Sequence, residues 1–358
     1  MVFLPALPKP AAASKLLLSA TALLLCCLVT PSRAETPVLR VLAWPGYAEP
    51  EVVQSFEREH GARVEVTVVT SDATLWQKIS AHNMDFDVFA VNAAELQRYI
   101  ASNLAQPLLP EQIPNTAKQL ARFRDLNAIP GLVSGGKAYG IPFTYSEMGL
   151  IYDRKQFAKP PTSIAALWDP RYRGKVIAYD GATHNFSLAA QRLGLESPFR
   201  IHAAEWSHTA EQLIALRRNA LGFYTQPEES AQLFLSHKAA LMFANYGMQQ
   251  VHLLKAAGAD IGYVIPREGA LTWLDCWVIT RATRNAALAH AWIDHLLGEQ
   301  ASRLLTERQG LASTLFEPAA SRPEDRLLWL QLPEDSGRRE KLWGRIRSGD
   351  RLSRVLVP

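Results

Sequence analysis

The sequence predicts an α/β protein of two lobes, each a mostly parallel sheet flanked by helices. Three observations predict it. Residues 38–102 alternate short β-prone apolar runs with amphipathic stretches in the order β-α-β-α-β. A second strand-then-helix series opens at "GKVIAYDG" (174–181), after a proline-rich, irregular stretch between Pro107 and Pro130. The chain of 358 residues also exceeds the roughly 100–200 that one domain usually takes.

Taken in order, "VLRVLAW" (38–44) reads as the first strand. A helix from Glu49 to His60 follows, with Val52, Val53 and Phe56 on one face and Gly61 as its stop. "RVEVTVVT" (63–70) alternates as a strand, and Ser71 or Asp72 caps a helix running to His82. "DFDVFAVN" (85–92) is the third strand, followed by a helix over 94–102. "YGIPFTYSEMGLIYD" (139–153) is extended chain leaving the first lobe. The second lobe continues with helices near 186–193 and 203–218 and a strand at "AALMFANY" (239–246). "IGYVIPR" (261–267) and "GALTWLDCWVIT" (269–280) return to the first lobe, and one long helix is expected over 285–307. The charged tail after Glu317 is expected to be partly helical and to pack on the outside. The boundaries predicted are a leader at 1–34, first lobe 35–145, second lobe 146–262, and a return to the first lobe with C-terminal helices over 263–358.

The leader reads as a secretory signal peptide. Lys9 and Lys15 precede the apolar run 16–30, and "PSRA" sets Ser32 and Ala34 where a signal peptidase reads small residues. A membrane anchor is the alternative, but the run falls short of the ~20 residues a spanning helix needs. Cleavage after Ala34 leaves 324 of the 358 residues and removes Lys9, Lys15 and Arg33, taking the formal charge from +4 to +1. Charge therefore gives no argument for a nucleic-acid partner. Cys26 and Cys27 leave with the leader, so Cys276 has no partner for an internal disulfide. It is expected as a buried, inert thiol.

Catalytic patterns are missing from the sequence. There is no H-E-x-x-H or G-x-S-x-G, and the first strand ends "AWPGYAEP", without the glycine spacing of a dinucleotide site. No enzyme activity, cofactor or metal is expected. His290 and Asp294, with His295 beside them, have a spacing compatible with a metal and equally with a solvated helix face.

What stands out is aromatic residues beside sparse carboxylates at strand ends. Trp44 and Tyr47 follow the first strand, Asn92 ends the third, Tyr145 lies in the crossing, and Asp180 ends the strand at 174–181. Asp275 is the single carboxylate of an apolar strand, with Trp273 and Trp277 two residues to either side and so on its face. Ring faces attract a cation and a carboxylate neutralises it, so together these residues suggest a box for a small organic cation.

Five segments carry a resemblance to a known family: "VLAWPGYAEPEVVQSFEREHGARV", "DFDVFA", "YGIPFTYSEMGLIYD", "LWDPRYRGKV" and "REGALTWLDCWVI". With them the chain resembles the periplasmic spermidine/putrescine-binding proteins of ABC importers over most of its mature length. The resemblance implies a two-lobed Venus-flytrap fold, a periplasmic location, a small amine as ligand and an inner-membrane ABC permease as partner, with the receptor acting as a monomer. It implies that Trp44, Tyr47, Trp273 and Asp275 line the cleft, Asp275 holding a ligand nitrogen. It also places Asn92, Tyr145, Asp180, His184 and Asn245 at or beside ligand positions. The chain departs from the family at Gly181 and His184, where two acids are usual. Ala244 and Leu311 replace rings, and Asn92 and Ala94 replace a serine and a tyrosine. These departures point to a smaller amine than spermidine, including a zwitterion whose carboxylate or phosphonate meets His184. A sensory binding protein that presents its ligand to a membrane receptor would use the same fold and cleft.

Overall fold

The computed structural model describes residues 1–3, 6, 36–317, 322 and 325–357. Most of the expected signal peptide, 1–34, lies outside the described residues. The segment Met1–Pro37 is a unit by itself, and its described residues are exposed and carry no helix or strand. Among the described residues no helix is long and apolar enough to cross a membrane.

The unit Val38–Pro358 opens with the predicted series: β1 (Val38–Ala43), α1 (Pro50–His60), β2 (Arg63–Val68), α2 (Asp72–His82), β3 (Val88–Asn92) and α3 (Ala93–Ala101). β1 lies between β2 and β3 and pairs with both in parallel, Val68 level with Ala43. A one-turn helix α4 (Ala121–Arg124) and the small hairpin β4 (Val133–Ser134) and β5 (Lys137–Ala138) lead to the long β6 (Ile141–Asp153).

The second series is β7 (Val176–Tyr179), α5 (Ala182–Leu193), α6 (Trp206–Asn219), β8 (Ala220–Tyr224), α7 (Pro227–Ser236), β9 (Leu241–Ala244) and α8 (Met248–Ala256). Here β7 lies between β8 and β9 in parallel. Then come β10 (Ile261–Val264), β11 (Ala270–Ile279), α9 (Ala286–Leu296), α10 (Glu299–Gln309), β12 (Ala312–Ser313), β13 (Leu327–Trp329), α11 (Ser336–Arg347) and α12 (Leu352–Val355).

Each lobe thus has a parallel three-stranded core to which antiparallel strands are added. β6 joins them: residues 141–148 pair with β11, and residues 149–153 pair with β9 and β10. β11 in turn pairs with β3.

Four details differ from the sequence expectation. The helix expected over 285–307 is two helices, because the chain turns extended at Gly298, where a Cβ would lie 2.9 Å from the His295 carbonyl oxygen. The expectation also missed β8, α7 and α8. The C-terminal helices pack against α5 and α6, where Leu342, Trp343, Ile346 and Val355 share a buried cluster with Phe186 and Trp206. Finally, His290 and Asp294 are held by protein groups and do not form a freely solvated face. His290 is buried; its Nε2 accepts the Leu109 N–H at 3.0 Å, so Nδ1 carries the proton donated to the Ala286 carbonyl at 2.7 Å. Asp294 accepts the Asn115 N–H at 2.7 Å. Both residues fasten α9 to the preceding irregular segment.

Candidate ligand site

The strand ends bring several of the singled-out residues together. Asp275 lies on β11 opposite Asn92 of β3 on one side and Thr144 of β6 on the other, and the β6 pairing shifts register just after it. Such an irregularity re-aims a side chain at the end of a ladder. Its carboxylate is 7 % exposed and accepts two hydrogen bonds, from the Tyr47 hydroxyl at 2.7 Å and from Asn92 Nδ2 at 3.1 Å. Asn92 is held in turn, because its Oδ1 caps α3 by accepting the Ala94 N–H at 3.0 Å. Tyr47 is buried edge-on to Phe143, 5.4 Å between centroids.

No cation is paired with Asp275 among the described residues. Burial pushes its pKa up to about 7; the Tyr47 and Asn92 hydrogen bonds lower it, and the charge of Asp72 raises it further. Burial and the Asp275 charge likewise push the Tyr47 hydroxyl well up. Two neutral donors fill about half of the acceptor capacity of a carboxylate. Trp273, half-buried on the same strand face, donates its indole N–H to the Asn245 carbonyl at 2.9 Å. Trp44, also half-buried, has an indole nitrogen without a partner. Asn245 is 5 % exposed and its Oδ1 is unpartnered. Cys276 points to the opposite face, buried beside Leu274 and Val278, and burial pushes its thiol pKa well up.

Other singled-out residues are placed elsewhere or differently. Tyr145 is opposite Leu274, on the other face of the sheet from Asp275. It is fully buried, and its hydroxyl accepts from Arg122 at 2.7 Å. Asp180 is claimed by the C-terminal helix α11: it accepts from the Trp343 indole at 2.8 Å and pairs with Arg347. His184 is half-buried and edge-on to Tyr179, 5.2 Å between centroids. Burial, with Arg339 nearby, pulls its pKa down to about 4, so it is neutral near pH 7. Gly181 is explained by the same pair, since a Cβ there would lie 2.5 Å from the Tyr179 ring and 2.9 Å from His184 Nδ1. Ala244 and Leu311 are buried core residues.

The sequence reading missed three tyrosines at the carboxyl ends of the second lobe's parallel strands. Tyr179 ends β7, Tyr224 ends β8 and Tyr246 follows β9. Their ring centroids lie 5.7 to 6.5 Å apart. The strand-end rule that picked out Trp44 applies equally to them. It missed Asp72 too. Ser71 performs the capping, its hydroxyl accepting the Thr74 N–H at 3.2 Å, and Asp72 is an exposed residue beside it.

An open α/β fold with rings and a buried carboxylate that has no cationic partner at its strand ends is that of a binding protein for small solutes. Residues 51–322 match the family of bacterial extracellular solute-binding proteins, and the chain belongs to that family. It is a solute-binding protein and not an enzyme. It is 23 % identical over 295 residues to a spermidine/putrescine-binding periplasmic protein of Haemophilus influenzae, covering 82 % of this chain and 79 % of that one. It is 24 % identical over 272 residues to a putrescine/agmatine-binding protein of Pseudomonas aeruginosa, covering 71 % and 72 %. Among solved structures, a putative spermidine/putrescine ABC transporter protein of Listeria monocytogenes superposes with a TM-score of 0.71 at 22 % identity, covering 87 % of this chain and 98 % of that one. The structural likeness establishes the two-lobed periplasmic binding protein fold.

Proposed function

We propose that this protein is the periplasmic receptor of an ABC importer for polyamines or a related small organic amine. The ligand lies between the two lobes, against Trp44, Tyr47 and Trp273, with one ammonium bonded to Asp275. The loaded receptor then delivers it to an inner-membrane permease. The observation that carries this reading is Asp275, a buried carboxylate with two neutral donors and no cationic partner. A carboxylate so placed costs stability until a cation reaches it. The names of the relatives support the amine class. Neutral His184 offers no ion pair to a ligand carboxylate, and this favours an amine over a zwitterion.

A thermal-shift screen with putrescine, cadaverine, agmatine, spermidine and ω-amino acids tests the reading. An amine present at ~100 times its Kd should stabilise the protein by about 2.7 kcal/mol. Stabilisation by the ω-amino acids alone would refute it.

Binding should also depend on pH with a definite sign. Asp275 must be ionised to hold an ammonium, and its pKa in the empty protein is about 7. Aliphatic amines stay protonated well above that, as lysine does with a pKa of ~10.4. Affinity should therefore fall about tenfold from pH 8 to pH 6, with proton release at pH 6. Calorimetry in two buffers of different ionisation heat reads both effects. Equal affinities at the two pH values would mean that Asp275 does not meet the ammonium.

A further inference from the structure

The position of Asp72 carries a second assignment, one that rests on the amine reading. At the end of β7 in the second lobe, Gly181 and His184 carry no negative charge, and Asp180 is paired with Arg347. A ligand with two ammonium groups then lacks a second anion in that lobe. The first lobe supplies one from the neighbouring strand end. β2 lies beside β1, Val68 is level with Ala43, and the Val69 N–H donates to the Ala43 carbonyl at 2.9 Å. The turn that follows β2 is thereby held beside Trp44, the residue after Ala43, and Asp72 opens α2 from that turn.

Asp72 is an exposed residue, and no hydrogen bond or ion pair engages its carboxylate among the described residues. The nearest cation to influence it, Arg98, is paired with Glu95 at 3.1 Å and lies over the Trp76 ring at 4.1 Å. Asp72 is nevertheless a desolvated acid, its pKa raised to about 6 by surrounding protein and by the Glu95 charge, with Arg98 lowering it. The Asp72 charge raises Tyr47 and Asp275 in the first lobe and also Tyr179 at the end of β7 in the second. A further acceptor, the unpartnered Oδ1 of buried Asn245, belongs to the residue whose carbonyl receives Trp273.

We propose that Asp72 is the second anion of this site: it receives the far ammonium of a diamine or polyamine whose near ammonium is held by Asp275, and so selects dications over monoamines. Tyr179 is the second-lobe surface that closes on Asp72.

Calorimetry with putrescine and with butylamine tests the assignment in the full mature protein, its Asp72→Asn variant and its Asp275→Asn variant. The wild type should bind putrescine at least tenfold more tightly than butylamine. Asp72→Asn should weaken putrescine at least tenfold more than it weakens butylamine, while Asp275→Asn weakens both. The melting temperature of Asp72→Asn should not fall below that of the wild type, because the replaced carboxylate has no partner and its raised pKa makes its charge a cost to the folded state. If Asp275→Asn weakens both amines but Asp72→Asn leaves the putrescine preference intact, Asp72 is not the second anion and the amine reading stands. Equal binding of the two amines by the wild type overturns the Asp72 assignment in the same way. Binding of neither amine to the wild type overturns both.

Discussion

Asp275→Asn is expected to weaken amine binding by tens- to thousands-fold and to raise the melting temperature of the empty protein above pH 7. Removing one partner of a desolvated charge pair typically costs ~2–5 kcal/mol, and each ~1.4 kcal/mol is a factor of ten. The gain in stability follows from the raised pKa. In the unfolded chain the carboxyl titrates near 3.8, and in the folded protein near 7. The native state therefore holds a proton through that window which the unfolded state has released. Stability falls as pH rises from about 4 to about 7, and the full cost is present above 7. A shift of this size corresponds to about 4 kcal/mol. Asparagine keeps the shape and removes the charge, and the Tyr47 hydroxyl can still donate to its oxygen. The two readouts separate this role from a purely internal one. If Asp275 existed to organise Tyr47 and Asn92, the variant would melt lower and affinity would change little.

The part of the site that the sequence made legible is the part ruled by strand geometry. Period two put Trp273 and Asp275 on one face and Cys276 on the other, and all three are so placed. Strand ends picked out Trp44, Tyr47 and Asn92, and the last two bond to Asp275. The same rule failed for Tyr145. It lies inside β6, and no local signal tells which residues of a doubly paired strand share the face of Asp275. That face is chosen by the register with β11, a long-range property. The capture of Asp180 was equally hidden. "GRREKLWGRIR" reads as a basic helix for solvent. Only the packing of Leu342, Trp343 and Ile346 against α5 and α6 turns Trp343 and Arg347 toward Asp180. The break at Gly298 was visible as a glycine but not as a boundary, since apolar residues continue on both sides of it.

Arg339→Ala should destabilise the protein by about 1–3 kcal/mol, the range expected when hydrogen bonds to a charged group are lost, because the carboxylate left behind, Glu334, is partly open to solvent. Arg339 has no exposed surface and lies on α11 facing the first turn of α5. Its guanidinium donates to both oxygens of Glu334, at 3.1 and 2.7 Å, to Ser187 Oγ at 2.9 Å and to the Thr183 carbonyl at 3.1 Å. Alanine leaves Glu334 with only the Ile201 N–H, at 3.2 Å, and opens a cavity between the helices. At roughly 2–4 °C per kcal/mol for a chain approaching this size, the melting temperature should drop by at least about 2 °C. The double variant Arg339→Met with Glu334→Leu should recover much of the loss, because no charge is then left unpaired and the apolar stem is kept. The effect should reach the ligand site. Loosening α11 frees Asp180 from Trp343 and Arg347, and removing the Arg339 charge lets the His184 pKa rise from about 4. Asp180 would then be available to an ammonium, so Arg339→Ala should bind polyamines less selectively even where it remains folded. A melting temperature within 1 °C of the wild type would show that solvent replaces these bonds at no cost, and that α11 is not fastened through Arg339.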